Sequence, residues 1–544
     1  MTGAVADAGG IKVTEGDRRF AALSRGFNPR WRARPDYIRL VSDGSQVRHA
    51  LEEAVNEPVA DPARRRITVR SGGHCYEDFV CADDVRVIID MSLMDRVQYD
   101  PALDAVCVDA GVTNGDLRRK LFLKTGRVLP GGSCPSVGIG GHIPVGGFGL
   151  LSRQHGLTVD YLYGVEVAVV GADRRVRLVT ATRDSRDRDL RRLWWAHTGG
   201  GGGNFGIVTK FWFRDLPQAP EKVLFTASGW KWSTIDKERF RRIVRNFGRF
   251  FAEHRGPGPY DPLFAILQLT HSSQDKIGLI VQIDAGVPDA EKLLTDFLNA
   301  MNEGVGVDRH ALSEAYGEYP AFTGLHAPIM LPWDTVEKLF GPVDNLRAGK
   351  HKSAYMVEPL PDDQIDALWA GLAEDAAGAR RDAVVQIDSY GGAINRLRPG
   401  QTAARQRSSI LKLQHQVYWP IAESGEGHLR WIRTLYRNMY RRTGGVPLPL
   451  AEQPGSPVTD GCYIGYPDVD LGDPEWNTSD VPWPALYYGE DYAVLRQVKD
   501  RWDPLNIFHH RQSVEPLRHS GDGAAEPGPI GGGGHAQMPE EGPA

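Results

Sequence analysis

The sequence predicts an α+β fold in two domains, the second built on an antiparallel sheet. Three observations carry this. A chain of 544 residues with 41% hydrophobic residues is long enough to bury more than one core. Up to about residue 217, helical and strand patterns interleave without regular βαβ repeats. Beyond it, alternating strands are separated by amphipathic helices, as in an antiparallel sheet with helices on one face.

Over 45–56 the apolar residues Val47, Ala50, Leu51, Ala54 and Val55 keep helical spacing. Ile67-Thr68-Val69-Arg70 then reads as a strand leading into a glycine turn. Further strands are predicted over 85–90 and 105–109, and a helix over 114–125 opens with Thr113 and Asp116 at capping-box spacing. A strand over 165–170 turns at Gly171-Ala172-Asp173 and returns. In the second part, Phe240, Ile243, Val244, Phe247, Phe250 and Phe251 form the stripe of a long helix. Strands over 264–270, 277–284, 383–389 and 411–418 and helices over 289–301 and 362–376 follow. The expected divisions are 1–217, 218–460 and a C-terminal segment over 461–517 with a short helix and a proline stop at Pro504. The Gly/Pro/Glu-rich stretch 518–544 is predicted to be a disordered tail.

Composition excludes several roles. With 64 Lys+Arg against 69 Asp+Glu the net charge is −5, and no basic block is concentrated enough to neutralise a run of phosphates, so nucleic acid is not expected. Residues 1–12 lack the basic start and apolar core of a signal peptide, and no apolar run spans a bilayer; the expectation is a soluble cytoplasmic protein without membrane contact. The five cysteines contain no C-x-x-C pair, which argues against a disulfide framework or zinc knuckle. His509-His510 without a third ligand reads as loop histidines, and no metal is expected.

Three glycine-rich stretches concentrate the chemistry. Gly201-x-Gly203-x-x-Gly206 matches the dinucleotide fingerprint formally, yet Ile207-Val208-Thr209-Lys210-Phe211-Trp212-Phe213 after it is a strand, not the helix that such a site requires. With Asn204 it offers unobstructed backbone N–H groups instead. Gly138-Ile139-Gly140-Gly141-His142-Ile143-Pro144-Val145-Gly146-Gly147-Phe148-Gly149 lets the main chain approach a large planar ligand. Arg70-Ser71-Gly72-Gly73-His74 and Gly131-Gly132-Ser133-Cys134-Pro135-Ser136-Val137-Gly138 each set a nucleophilic side chain beside glycines, which open its approach and fix its angle.

At these stretches the sequence resembles the berberine-bridge-enzyme-like FAD-linked oxidases. The resemblance runs from about Ile11 to Val514 and includes Pro35-Asp36-Tyr37-Ile38, Leu151-Ser152-Arg153, Val159-Asp160-Tyr161-Leu162, Tyr463-Ile464-Gly465-Tyr466-Pro467-Asp468 and Asp503-Pro504-Leu505-Asn506. Within that family it is most similar to antibiotic-tailoring hexose and alcohol oxidases of actinomycetes, those of glycopeptide and tirandamycin pathways among them. The resemblance implies a PCMH-type, vanillyl-alcohol-oxidase-like FAD-binding fold, with 461–517 completing the first domain. It implies FAD bound covalently through His74 at the 8α-methyl carbon and Cys134 at ring carbon 6. It also implies cofactor contacts from Arg70, Ser71, Gly72, Gly73, Val137, Gly138, Gly140, Gly141, His142, Gly146, Gly149, Gly203, Asn204, Gly206, Val208, Tyr488 and Asn506.

By the same resemblance the protein is expected to oxidise an alcohol of a sugar or of a glycosylated or polyketide natural product, with O2 reoxidising the flavin to give H2O2. The family also includes enzymes that form carbon–carbon bonds or rings, and a metabolite-sequestering resistance flavoprotein is a further alternative. Alcohol oxidation needs a base. The tyrosine of the family's Tyr-Pro-Asp position corresponds to Tyr466, with Tyr463 a candidate donor to it and Tyr390 a further catalytic candidate. A free phenol ionises near pH 10, so the base needs a donor or positive charge beside it. A spacing of three on an extended segment would separate Tyr463 from Tyr466, so a bend near Gly465 is expected. Residues two apart share a sheet face, which makes Gln414, Gln416 and Tyr418 a possible polar row for substrate. Phe148, where relatives commonly carry tyrosine, and Gly465, where they carry asparagine, depart from the family pattern and alter the substrate side of the site.

Overall fold

A computed structural model of the protein describes residues 7–316, 319–340, 347–373, 381–453 and 455–517. The tail predicted over 518–544 and the end of the helix predicted over 362–376 lie outside the described residues.

Three sheets carry the chain. A four-stranded sheet orders Ile11–Val13, Tyr37–Leu40, Val85–Asp90 and Arg66–Arg70, the last three mutually parallel. A five-stranded antiparallel sheet orders Val97–Asp100, Ala105–Asp109, Ile207–Phe213, Leu162–Val170 and Val176–Thr182. The helix Gly44–Asn56 buries Val47, Ala50, Leu51, Ala54 and Val55 and is capped by Asp43, whose carboxylate accepts from the Ser45 and Gln46 N–H groups. The helix Asn114–Thr125 opens on Thr113, which accepts from Asp116 N–H, and closes on left-handed Gly126.

The eight-stranded sheet follows residue 217. Its strands Leu263–Thr270, Ile277–Asp284, Asp382–Ser389 and Leu411–Pro420 match the predicted positions, and Lys222–Trp230 and Arg347–Met356 join them. The named pairings are antiparallel. The helices Lys237–Glu253 and Ala290–Asn302 pack together, as do Asp362–Leu372 and Glu426–Met439, and the last packs on Leu411–Pro420. Alternate side chains of the sheet, Phe264, Ile266, Gln386, Asp388 and Gln414, enter the cavity facing the glycine loops. The C-terminal helix Tyr492–Trp502 packs on the helix Arg188–Ala196, next to the third glycine loop. No helix among the described residues is long and apolar enough to cross a membrane.

Arg347–Met356 is a buried strand despite the run Lys350-His351-Lys352-Ser353. Lys350 Nζ sits 2.5 Å from Glu77 and 2.7 Å from Asp468, and Lys352 Nζ sits 2.7 Å from Asp468 and 2.9 Å from Asp470. Burial alone would raise the Asp470 carboxyl, but the charges of Lys350, Lys352 and Arg433 hold it well below its ordinary range. This cluster anchors the segment after Tyr466 to the sheet.

Candidate active site

The glycine loops and the sheet enclose a cavity of about 350 Å³. Two of the loops touch through bare backbone. A Cβ on Gly72 would lie 2.2 Å from Gly138 N, and one on Gly138 would lie 2.1 Å from Gly72 N. Only glycine at both positions lets the His74 turn and the Cys134 loop meet, so His74 and Cys134 line one cavity.

Each loop is held from outside. Arg70 pairs with fully buried Asp90 at 2.6 Å and fills the space beside left-handed Gly73. The Cys134 loop is fastened by Arg118, which donates to the Gly132 and Ser133 carbonyls, and by His142, whose Nε2 accepts from Gly132 N–H at 2.9 Å. Burial, helped by the charges of Arg118 and Lys412, pushes His142 down to about 4, so it stays a neutral acceptor. Burial and the Arg70 charge likewise hold His74 at about 4, leaving a neutral imidazole. In the third loop, Gly201 and Gly203 have φ of 90° and 70°. Asn204 Nδ2 donates to Gly200, while its Oδ1 accepts from Val514 N–H and its carbonyl accepts from Lys499 Nζ.

Ser71, Gly72, Gly73, His74, Cys134, Val137, Gly138, Gly140, Gly141, His142, Gly149, Gly203, Asn204, Gly206, Val208 and Tyr488 all line the cavity. Arg70 and Gly146 lie behind this wall. Asn506 does not reach it either: its left-handed backbone (φ 49°) makes the turn after the last helix, and its carbonyl faces His509 Nδ1 at 2.9 Å.

Tyr463 and Tyr466 both line the cavity, brought to one side by a turn in which Tyr466 N–H donates to the Tyr463 carbonyl at 2.9 Å. The expected bend is therefore present at Ile464-Gly465. A Cβ on Gly465 would strike the Tyr463 ring at 2.5 Å, so glycine is what allows the ring to fold over the backbone. The two rings meet edge-on, centroids 5.0 Å apart.

The group placed to charge-assist Tyr466 is one that the sequence reading passed over. Lys412, fully buried on Leu411–Pro420, donates to the Tyr466 hydroxyl at 3.1 Å and to Asp388 Oδ2 at 3.0 Å. Its ammonium also lies 4.4 Å from the Tyr466 ring centre and 4.5 Å from that of Phe148. The Tyr463 hydroxyl instead accepts from Gly147 N–H, and burial, with Tyr466 nearby, raises its pKa far enough to keep it a neutral phenol. Beyond Asp388 the polar chain continues: Gln386 Nε2 donates to Asp388 Oδ1 at 2.6 Å, and Tyr319 donates to Gln386 Oε1.

The expected polar row is only partly at the site. Gln414 lines the cavity and donates to Tyr76 at 3.3 Å. Gln416 and Tyr418 share its face, but each two-residue step moves a side chain about 6.6 Å along the strand. They bond to one another at 3.1 Å, away from the cavity wall. The same alternation, read two residues backwards, reaches Lys412. Tyr390 is also off the main cavity: it sits behind Phe148, centroids 5.4 Å apart, lines a small second void, and donates to the Gln406 carbonyl at 3.1 Å. Burial raises its pKa. Tyr76, which the sequence did not single out, stacks on His351 at 3.5 Å and leans on Tyr466 at 5.7 Å.

Residues 35–176, which hold the first two glycine loops, match the FAD binding domain family, and residues 462–515, which hold the tyrosine turn, match the family "Berberine and berberine like". The protein is an FAD-linked oxidoreductase. It is 42% identical over 519 residues to aclacinomycin-N/aclacinomycin-A oxidase of Streptomyces galilaeus, covering 93% of this chain and 90% of that protein. It is 34% identical to hexose oxidase of Chondrus crispus, over 92% of this chain and 93% of that one. The crystal structure of glycopeptide hexose oxidase DBV29 complexed with teicoplanin superposes with a TM-score of 0.84 at 39% identity, covering 93% and 99% of the two chains. The chain belongs to the berberine-bridge-enzyme-like family of FAD-linked oxidases.

The residues present suit a bound flavin. The Tyr488 hydroxyl is buried at the cavity wall without a hydrogen-bond partner among the described residues, and the Gly72–Gly138 contact makes a cradle that any Cβ would fill.

Proposed function

We propose that the protein oxidises a secondary or hemiacetal alcohol on a sugar, free or attached to a natural product, with FAD tethered to His74 and Cys134. The observation that carries the reading is Lys412 Nζ against the Tyr466 hydroxyl, at the wall of the cavity that His74 and Cys134 also line. Bound FAD supplies the acceptor for the hydride leaving the substrate carbon and hands its electrons to O2, giving H2O2.

Tyr466 takes the hydroxyl proton as that hydride leaves. The Lys412 ammonium favours its phenolate, because a cation donating to the oxygen stabilises the charged form. Asp388 on the far side of Lys412 keeps the ammonium in place. Gln414 and Tyr76 supply polar contacts for further hydroxyls at the same wall. Phe148 presents a face without a hydroxyl, so substrate binding on that side is apolar. Hexose oxidase and the glycopeptide hexose oxidase among the similar proteins support a sugar as the substrate class.

The test is a panel of hexoses, oligosaccharides and glycosylated aromatic polyketides mixed anaerobically with the protein. The reading expects flavin bleaching with at least one of them and H2O2 on admitting air. Tight binding of a glycosylated compound without bleaching would assign the protein to sequestration, and a cyclised product would assign it to ring formation.

A further inference from the structure

The His74 imidazole makes no hydrogen bond among the described residues; the contact that fixes its plane is the ring of Phe27, stacked at 4.5 Å and 20°. Phe27 is itself fastened to the His74 turn. Its N–H donates to the Gly73 carbonyl at 2.8 Å, and Gly26 runs so close that a Cβ there would sit 2.9 Å from the same oxygen. The next residue, Asn28, is buried and donates to the carbonyls of Tyr76 and Gly349, both at 2.9 Å, while Trp31 Nε1 donates to Tyr76 at 3.0 Å. Segment 26–31 is thus a clamp over residues 73–76 with one aromatic side chain laid on the histidine.

We propose that Phe27 is the positioning residue for covalent attachment of the flavin at His74. This rests on the proposed tethering at His74 and Cys134. A histidine that must bond to carbon needs one nitrogen lone pair free and its other nitrogen able to lose a proton. A hydrogen bond used for orientation would engage one of those atoms. A stack on the ring face orients the imidazole and leaves both nitrogens open. In the attachment, His74 forms one C–N bond while one C–H bond of the flavin's 8-methyl group and one imidazole N–H break. The two electrons released leave the flavin reduced, and dioxygen then takes them with two protons as H2O2. Orientation of the nucleophile governs the rate of such a step, and no hydrogen bond or other ring contact among the described residues orients this imidazole.

The test compares flavin retained after acid precipitation with total flavin before it. In Cys134→Ala the colour stays in the pellet through His74. In Phe27→Ala/Cys134→Ala the total flavin is kept within about twofold but the acid-stable part falls about tenfold, the scale set by a lost aromatic pair. Phe27→Tyr/Cys134→Ala restores it. Phe27→Ala/His74→Ala retains its cysteine-linked flavin like His74→Ala, which a general loosening of the loops would not allow. Acid-stable flavin undiminished in Phe27→Ala/Cys134→Ala, no rescue by tyrosine, or equal loss of both attachments would overturn the assignment. A colourless pellet from Cys134→Ala with Phe27 intact would instead refute attachment at His74.

Discussion

The Lys412 ammonium lies 3.1 Å from the Tyr466 hydroxyl and 4.4 Å from the centre of the same ring, so one buried cation meets the phenol through both its oxygen and its face. Charge on Tyr466 is favoured by both contacts. Replacing Lys412 by Met removes them and leaves Asp388 without its cation. Substrate-dependent flavin reduction is expected to slow about 10²–10³-fold, and the alkaline rise of its pH–rate profile to move upward. Stopped-flow bleaching across pH measures both; an unmoved profile would separate Lys412 from the base.

Tyr466→Phe keeps the ring and loses the hydroxyl proposed as proton acceptor. The flavin should remain bound and yellow, while bleaching by substrate slows about 10²–10⁴-fold. Tyr390→Phe should slow it far less, since Tyr390 lies behind Phe148. Comparable losses in the two variants would contradict the placement.

The Gly72–Gly138 contact makes a sharp prediction about loading. Gly138→Ala places a Cβ 2.1 Å from Gly72 N and 2.2 Å from Ser71 Oγ, so the two loops must part. A loss of about 1–3 kcal/mol of stability is expected, together with a marked fall in flavin content as purified. Absorbance ratios and thermal unfolding check both.

Acid should destabilise the fold through its buried histidines. Burial, the largest cause at each, holds His142 and His197 at about 4 and His351, His415 and His510 at about 3, against 6.5 for the free group. Their folded values are depressed, so their contribution is fully present above pH 6.5. It is lost as pH falls, because the unfolded chain takes up protons that the native one refuses, at up to about 1.4 kcal/mol per pH unit for each group. Asp460, raised by burial to about 6, and Asp491, raised by burial as well, act in the opposite sense but are outnumbered by the five histidines. The melting temperature is therefore expected to fall steadily from pH 7 to pH 5, and a flat profile would contradict these values.

What the sequence made legible follows from where the partners lie. The stripe of Phe240 to Phe251 and the strands over 264–270 and 277–284 could be read because periodicity is a local property. The glycine loops were legible because a close approach of backbone demands glycine whatever lies opposite. Arg347–Met356 was not, since Lys350 and Lys352 are buried only because Glu77, Asp468 and Asp470 arrive from distant parts of the chain. Lys412 stood in register with Gln414, and its alternation was visible, but a lysine within a strand reads as solvent-facing until Asp388 and Tyr466 are seen around it. Gln416 and Tyr418 were assigned from their alternation with Gln414, which reaches the cavity when they do not, and Asn506 from the family resemblance of a motif whose asparagine makes a turn here. Phe27 carried no signal at all, because stacking on His74 depends on how two loops meet.

The central claim is one flavin held at both His74 and Cys134. Trypsin would release His74 in residues 71–86 and Cys134 in residues 128–153, since no Lys or Arg falls inside either stretch. Mass spectrometry of the digest should find the two peptides joined in a single yellow species whose mass includes one flavin. Recovery of both peptides separate and unmodified from a freshly purified, yellow protein would contradict the account.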